Sequence, residues 1–555
     1  MNRLFRRDCK MNGPKFPNKL FGVILVIVCL TGCAVPIVTP TSLPTFPTPP
    51  PTFPPPGIAQ TAAAPASDQP GGYVIGAPVL TDVWVDPVYG DDARSGESRE
   101  QALLTITEAW NRIPQGTPLT GSGYRILLAA GDYPDSSFPL YWEARYGTFE
   151  FPIIIQSADG PGLARLLGFV NVFDTRYLYL LDLAFATEGD VFHCEQCNHL
   201  LMRGASMDGG SGHQAHETVK INQSQYIYIE NSDIFNTYEN AIDFVAVQYG
   251  HITGNRLHDA DDWCIYLKGG SAYFRIEGNE IYNCGTGGFS AGQGTGFEYM
   301  VSPWLHYEAY EIRFVNNLVH DTQGAGMGVN GGYNILLAYN TLYRVGVNSH
   351  AIEVVFGARS CDGDLPRCTA NLAARGWGTT VTGAEGEPIP DRNIFIYNNI
   401  IYNPPGTNSQ WQHLAIFGPR SPSPGSNIPS PAVTDANLHI RGNLIWNGGQ
   451  EMPLGIEDPS QGCQDANPAC NAAQLLAENT INTVEPQLVD PANGDFHPTP
   501  EGNVFSVPTY AIPDFGWDDA PATPAVPPGD PNNQVPLDRD GQPRPWPGLP
   551  GAYTG

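Results

Sequence analysis

The chain has 555 residues, and its 56 Asp and Glu against 28 Lys and Arg give a net charge of −28 at pH 7. This acidic balance argues against nucleic acid or an anionic surface as the default partner. It leaves an acidic polysaccharide open, because a bound divalent cation would invert the local field.

The N-terminal segment has the charge and hydrophobicity order of a secretory signal. Basic residues precede an apolar run from Leu20 to Leu30, which is too short to span a bilayer. The run ends in Leu-Thr-Gly-Cys at Cys33, which resembles the bacterial lipobox, whose cysteine becomes a lipidated N-terminus. The alternative is a short membrane anchor that is never cleaved, and Met11 is a second candidate start. We expect a monomeric, extracytoplasmic protein, lipid-anchored to the bacterial membrane and facing outward.

The composition predicts five regions. Residues 1–33 are the signal, and residues 34–72 form a Pro-, Thr- and Ala-rich linker that holds the domain off the membrane. Residues 73–150 make an N-terminal capping region with the first strands. Residues 151–449 are repeated coils, and residues 450–555 form a C-terminal cap with a Pro-rich tail.

The capping region contains one amphipathic pattern. Leu103, Ile106, Trp110 and Ile113 have helical spacing. We predict that this helix covers the open first coil, because a terminal repeat needs a polar outer face.

A short motif recurs along the middle of the chain, in which an Asn lies between apolar positions and an aromatic residue or His follows. Its spacing fits one coil of about 23 residues with three insertions, as in a β-solenoid. We predict that these side chains stack as a ladder at turns. They are Asn255, Asn279, Asn317, Asn340, Asn399 and Asn443.

Four coil starts align with each other, and each has apolar residues at its second and fourth positions. They are residues 241–244, 264–267, 288–291 and 351–354. Alternate positions of a strand face one side, so the apolar ones face the core. The sequence therefore predicts an all-β, right-handed parallel β-helix, a solenoid with an N-terminal capping helix and an irregular C-terminal cap.

Eight cysteines follow Cys33, and they fall into close pairs. An even number in such pairs indicates local disulfides outside the cytoplasm, with zinc as the alternative for the first pair. The pairs are Cys194/Cys197, Cys264/Cys284, Cys361/Cys368 and Cys463/Cys470.

Two terminal segments add a family resemblance. Residues 83–87 and 124–133 resemble the first segment of β-helix proteins of the pectate-lyase superfamily, and residues 538–544 with 551–553 resemble their tails. The resemblance covers about residues 80–555 and implies the fold. It does not indicate a single activity, because this fold occurs in lyases, hydrolases, epimerases and adhesins.

The outward strand positions hold the candidate catalytic residues. Lys220, Asp243, Tyr266 and Lys268 fall in two neighbouring outward columns, whose members lie about 4.8 Å apart on adjacent coils. The turn before Tyr266 carries the acidic segment 258–262, which a solvated turn would also explain.

Asp261 and Asp262 occupy a place where two families have paired aspartates. The segment resembles polygalacturonase-type hydrolases, in which the pair acts as acid and base, although the His of that family is absent here. It also resembles calcium-dependent pectate lyases, which implies Ca²⁺ held by Asp243, Asp261, Asp262 and Glu239. Lys268 is then the replacement base, with Tyr266 beside it; the alternative is an outward lysine in a charge ladder with Asp or Glu. Neighbouring acids would raise the pKa of Lys268 unless calcium offsets them.

Two long excursions leave the coils, at residues 292–310 and 356–391. Such insertions commonly form the walls of a binding groove. We expect substrate contacts from Arg359, Glu353, His350, Trp304 and Lys220; a salt bridge between Arg359 and Glu353 is the alternative use of that arginine.

The sequence predicts a carbohydrate-active protein, with a lyase of a uronate-containing polymer favoured. The alternatives are a polygalacturonase-like hydrolase and a non-catalytic surface protein that binds glycans. The predicted partners are a polysaccharide and the membrane, without nucleic acid.

Overall fold

The computed structural model describes residues 71–382, 386–457, 471–517 and 532–555. The predicted signal, Cys33, nearly all of the linker and the Cys463/Cys470 pair lie outside these residues. The described helices are α1 (Ile106–Asn111), α2 (Leu365–Ala373) and α3 (Ala472–Glu478), and none in the described ranges is long and apolar enough to cross a membrane. Short 3₁₀ turns lie at Arg99–Gln101, Asp135–Ser137, Phe297–Tyr299, Pro491–Asn493 and Asn503–Ser506.

Three long parallel sheets form the body of the protein. The strands of the first sheet are Leu80–Val85, Gly123–Leu128, Ile153–Ser157, Arg176–Leu181, Asn198–Arg203, Gln225–Glu230, Gln248–Thr253, Ser271–Glu277, Ala309–Val315, Gly332–Ala338, Arg392–Tyr397 and His439–Arg441. Those of the second sheet are Trp142–Glu143, Val170–Phe173, Phe192–Glu195, Glu217–Asn222, Asn240–Val245, Trp263–Lys268, Gly287–Gly292, Ala325–Asn330, Ile352–Val355 and Leu414–Ile416.

The third sheet completes each coil. Its strands are Gly131–Pro134, Ala164–Leu167, Ala184–Ala186, Ser206–Asp208, Asp233–Thr237, Arg256–Ala260, Glu280–Cys284, Leu318–Thr322, Thr341–Tyr343, Ile400–Tyr402, Leu444–Trp446 and Thr480–Ile481. A small sheet joins Gly294–Gly296, Gly357–Ser360 and Glu387–Ile389, and a hairpin joins Leu488–Asp490 to Asp495–Pro498. The chain visits the second, first and third sheets in turn, which confirms the predicted parallel β-helix.

The core runs along the inside of the coils. In the second sheet Val219, Ile242, Ile265, Phe289 and Met327 stack in register, and all five are fully buried. Burying each such side chain stabilises the fold by roughly 1.5–3 kcal/mol. The apolar second position of each coil therefore faces inward, as the sequence predicts.

The asparagine ladder is also confirmed. Each side-chain amide donates to the Oδ1 of the next Asn at 2.8–3.1 Å, and that same oxygen accepts the backbone N–H of the donor residue. The ladder continues one step beyond the predicted set, from Asn443 to Asn479.

The ends of the solenoid carry short helices. Thr105 accepts the backbone N–H of Glu108 at the N-terminus of α1, and Ile106 and Trp110 of this helix are buried in the main core. The helix is shorter than the predicted segment, and its capping role stays a prediction. At the other end, Leu475 of α3 joins the same core.

The C-terminal tail packs beside the coils as well as near their end. Arg539 donates to the backbone O of Asn279 at 2.8 Å, and Arg544 donates to Oδ1 of Asn316 at 2.7 Å. The described part of the tail is therefore more than an end cap.

Three of the predicted disulfides are present, Cys194–Cys197, Cys264–Cys284 and Cys361–Cys368. This excludes the zinc interpretation of the first pair in this structure.

Candidate functional site

The outward face of the second sheet brings four predicted residues together. Lys220, Asp243 and Tyr266 are direct neighbours in one column, and Lys268 follows two positions after Tyr266 on the same strand. We call these four residues the lysine patch. Lys220 and Lys268 are also the only lysines after residue 19, so every lysine of the described chain lies here.

Lys220 is held by two carboxylates. Its Nζ donates to Glu217 Oε1 at 3.2 Å and forms a close ion pair with Asp243, whose side chain is fully buried. Asp243 Oδ1 has no hydrogen-bond partner in the structure. The charge of Lys220 therefore compensates a buried acid.

Lys268 contacts Tyr266 and the first excursion. Its Nζ lies 3.1 Å from Tyr266 Oη and 3.4 Å from Gln293 Oε1, a residue of the first excursion. The amide of Asn240 donates to the same Tyr266 oxygen at 3.1 Å. The phenol is thus fixed between an amine and an amide.

The pKa of Lys268 shifts in the direction opposite to the sequence-based expectation. Burial lowers it, and this effect outweighs the acids that raise it, of which Glu308 and Glu217 are the strongest. Burial also lowers the pKa of Lys220 and raises that of Tyr266 well above its usual range. Burial therefore shifts Lys268 and Tyr266 towards their uncharged forms, because desolvation penalises the ammonium and the phenolate.

The paired aspartates do not act as one unit. Asp261 is exposed and lies 3.4 Å from His213 Nδ1, on the outside of the turn. Asp262 lies closer to the patch, where its charge helps to raise the pKa values of Tyr266 and Glu239. Burial is the largest cause of the raised pKa of Glu239, followed by Glu217.

These acids do not fit the calcium site that the resemblance implies. Among the described residues, only Glu298, Cys361 and Cys368 form a group of three or more metal-ligand side chains with mutual distances within 4.8 Å, and both cysteines are in a disulfide. Asp243 is paired with Lys220, while Asp261 faces His213. Calcium needs six to eight oxygen ligands around one point, and the predicted carboxylates do not converge in this way.

The predicted substrate contact of Arg359 is not supported by its position. The side chain is fully buried and donates to Glu308 at 2.8 and 2.5 Å and to the backbone O of Trp377 at 2.6 Å. The ion pair thus forms with Glu308 and not with Glu353.

The other predicted contact residues fall into two groups, Trp304 on one side and Glu353 with His350 on the other. Trp304 is buried among Tyr249, Tyr273 and Tyr310, so its ring serves loop packing. Glu353 stays in the outward column of the patch, beyond Gly328, and His350 Nε2 lies 2.9 Å from its carboxylate. These two residues lie further along the same face.

Glu308 is the main residue that the sequence analysis missed. Its Oε2 accepts the backbone N–H of Gly269, next to Lys268, and the hydroxyl of Thr295, while Oε1 accepts Arg359. It therefore links the lysine strand to both excursions. No local pattern marks this residue, because its partners come from distant parts of the chain.

The comparison with family models identifies the repeated region. Residues 192–362 match a family described as "Right handed beta helix region". The coils form a right-handed β-helix. A search of curated proteins finds no match.

Among solved structures, the chain is similar to pectate lyase Pel9A, with 14% identity over 80% of this chain and 95% of that one and a TM-score of 0.40. It is similar to a rhamnogalacturonan lyase with 12% identity, 65% and 87% coverage and a TM-score of 0.40. It is similar to the PL6 family polysaccharide lyase Pedsa3628 from Pseudopedobacter saltans with 15% identity, 71% and 94% coverage and a TM-score of 0.34. At these identities the likeness concerns the fold alone.

Proposed function

We propose that the protein is an extracytoplasmic, lipid-anchored polysaccharide lyase that cleaves a uronate-containing chain by β-elimination at the lysine patch. The observation that supports the proposal is the 3.1 Å contact between Lys268 Nζ and Tyr266 Oη on the outward face of the second sheet. A lowered pKa makes the free amine of Lys268 more available as a base, and a raised pKa makes the phenol of Tyr266 hold its proton more firmly.

In the proposed step, neutral Lys268 removes the proton on the carbon that bears the carboxyl group. The electrons of that C–H bond form the new C=C bond, and the glycosidic C–O bond breaks. Tyr266 gives its proton to the leaving oxygen. The Lys268 ammonium then returns a proton to the Tyr266 oxygen across their 3.1 Å contact, which restores both groups.

The charges of the patch favour an esterified uronate over a free one. The positive charge of Lys220 is already shared by Glu217 and Asp243, and Asp262 adds a further carboxylate nearby. A free substrate carboxylate would meet these acids without a cation to neutralise it, whereas an ester carries no charge. The proposal accordingly gives calcium no step.

A hydrolase is the second candidate, and one observation favours it. Burial and the nearby carboxylates of Glu217 and Asp262 raise the pKa of Glu239, which is the property of a general acid. In that alternative Glu239 protonates the leaving oxygen and Asp262 is its partner, in place of the predicted Asp261 and Asp262 pair.

The test uses the purified full-length chain with methyl-esterified pectin, its de-esterified form, alginate and glycosaminoglycans, with calcium or with chelator. A lyase produces an unsaturated sugar, so ultraviolet absorbance rises. We expect the fastest rise on the esterified polymer, and no loss with chelator. Lys268→Arg should lower kcat by about 10²- to 10⁴-fold while binding is kept, because arginine remains protonated.

Tyr266→Phe is the matched variant that keeps the ring and removes only the hydroxyl, and it should lower kcat over the same range of about 10²- to 10⁴-fold. Reducing ends without absorbance, lost in Glu239→Gln and kept in Lys268→Arg, would select the hydrolase. Saturable glycan binding with no product would select the non-catalytic alternative.

A further inference from the structure

A cleft lies on the second sheet on the N-terminal side of the lysine patch. It is lined by Tyr141, Glu143, Asn171, Phe173, His193 and Glu195. We call it the aromatic cleft. None of its residues belongs to the predicted site.

The aromatic cleft and the lysine patch share one floor. Asn171, His193 and Lys220 are direct neighbours in one outward column, and Phe173 and Glu195 are neighbours in the next. Each coil advances about 4.8 Å, which is close to the length of one pyranose along an extended chain. A polysaccharide that crosses the patch along the helix axis therefore also crosses the cleft.

Asn171 and His193 form a hydrogen-bonded polar pair in the aromatic cleft. The amide nitrogen of Asn222 faces His193 Nε2 at 3.2 Å, and His193 Nδ1 lies 3.1 Å from Asn171 Oδ1. An amide nitrogen donates, so this contact fits a neutral ring with its proton on Nδ1. Burial, with a smaller effect of Lys220, lowers the pKa of His193, which favours the uncharged ring.

The aromatic part of the cleft is open to solvent. Tyr141 is 55% exposed and Phe173 is 37% exposed, although both lie beside a well-packed core. The carboxylates of Glu143 and Glu195 lie in the strands on either side of Phe173. Aromatic faces pack against the C–H faces of a sugar ring, and carboxylates accept bonds from its hydroxyls but repel another carboxylate.

We propose that the aromatic cleft is a subsite that binds one uncharged pyranose, either neutral or esterified, of the chain that the lysine patch cleaves. The inference rests on the proposed function for the identity of that chain. The ring lies on Phe173 and Tyr141, and its hydroxyls contact Asn171 and the two glutamates.

The disulfide Cys194–Cys197 supports this arrangement. It closes the turn that follows Glu195, and both of its cysteines are buried in the main core. The strand that carries His193 and Glu195 is thereby pinned at its C-terminal end, so the cleft is largely formed before a ligand arrives.

The test measures binding by calorimetry to the full-length Lys268→Arg variant, so that no product forms. The probes are methyl-esterified pectic oligosaccharides, their de-esterified forms, and neutral xylan, glucan, mannan and galactan oligosaccharides. Phe173→Ala should weaken binding of the uncharged probes about tenfold, which corresponds to about 1.4 kcal/mol, and Phe173→Tyr should restore it. The control is Tyr89→Ala, a more exposed aromatic residue outside the second sheet.

In the active chain, Phe173→Ala should raise KM and leave kcat unchanged. Equal affinity of Phe173→Ala and its parent, preference for the de-esterified probe, or no binding of any uncharged probe would overturn the subsite. Binding that depends on Phe173 in a chain without lyase activity would refute the lyase but keep the subsite. Normal lyase activity with no effect of Phe173→Ala would refute the subsite but keep the lyase.

Discussion

Arg359→Met removes a fully buried cation that joins the two excursions. The substitution leaves Glu308 buried without its charge partner, because Arg359 supplies both guanidinium contacts to Oε1. Breaking a buried ion pair costs about 3–5 kcal/mol, since one charge then remains uncompensated. The backbone oxygens of Trp377 and His306 also lose a donor, while the methionine keeps part of the apolar contact of the arginine stem.

The loss should appear first as local opening, because a solenoid is stabilised by contacts between neighbouring repeats. Hydrogen exchange followed by mass spectrometry should show faster exchange in residues 266–272, where the N–H of Gly269 donates to Glu308. Urea unfolding measures the free energy. The double variant Glu308→Gln with Arg359→Met should be more stable than Arg359→Met alone, because no charge is left unpaired. A single variant within about 1 kcal/mol of the parent would refute the reasoning.

Three further predictions concern the pH response, the ladder and a disulfide. Burial lowers the pKa of Lys268 below its ordinary 10.5, so between the folded-state pKa and 10.5 the unfolded chain binds more protons than the folded one. The free energy of unfolding in urea should therefore rise with pH across that window. Lys268→Met should lose part of this rise. Asn279→Ala should lower the free energy of unfolding by about 3 kcal/mol, because it leaves buried backbone groups unpaired, whereas the exposed control Asn493→Ala should change it by less than about 0.5 kcal/mol. Replacing Cys264 and Cys284 by serine should cost about 3 kcal/mol in the same assay, and an unchanged midpoint would contradict this.

The features that repeat were predictable from the sequence. The apolar alternation placed Lys220, Asp243 and Tyr266 in one column, and the paired strands have that same register. The Asn positions and the close cysteine pairs followed from spacing alone. A one-residue shift in the pairing of two strands would turn their apolar side chains outward. A repeated apolar pattern therefore allows few alternative strand registers.

The features that depend on distant partners were not predictable. Arg359 looked available for a substrate because its partner Glu308 lies 51 residues away, in the other excursion. The lowered pKa of Lys268 depends on burial that only the folded chain creates. The carboxylates near it suggested the opposite shift, and their effect is smaller than that of desolvation.

The Glu308–Arg359 pair also constrains how the two excursions can change in evolution. The strand face that carries the lysine patch depends on coil register, but the two excursions are joined by a carboxylate from one and a guanidinium from the other. If one excursion were replaced alone, Glu308 or Arg359 in the remaining excursion would stay buried without its charge partner. The two excursions should therefore be exchanged as a unit, because a change in one alone leaves the charge of the other buried and unpaired.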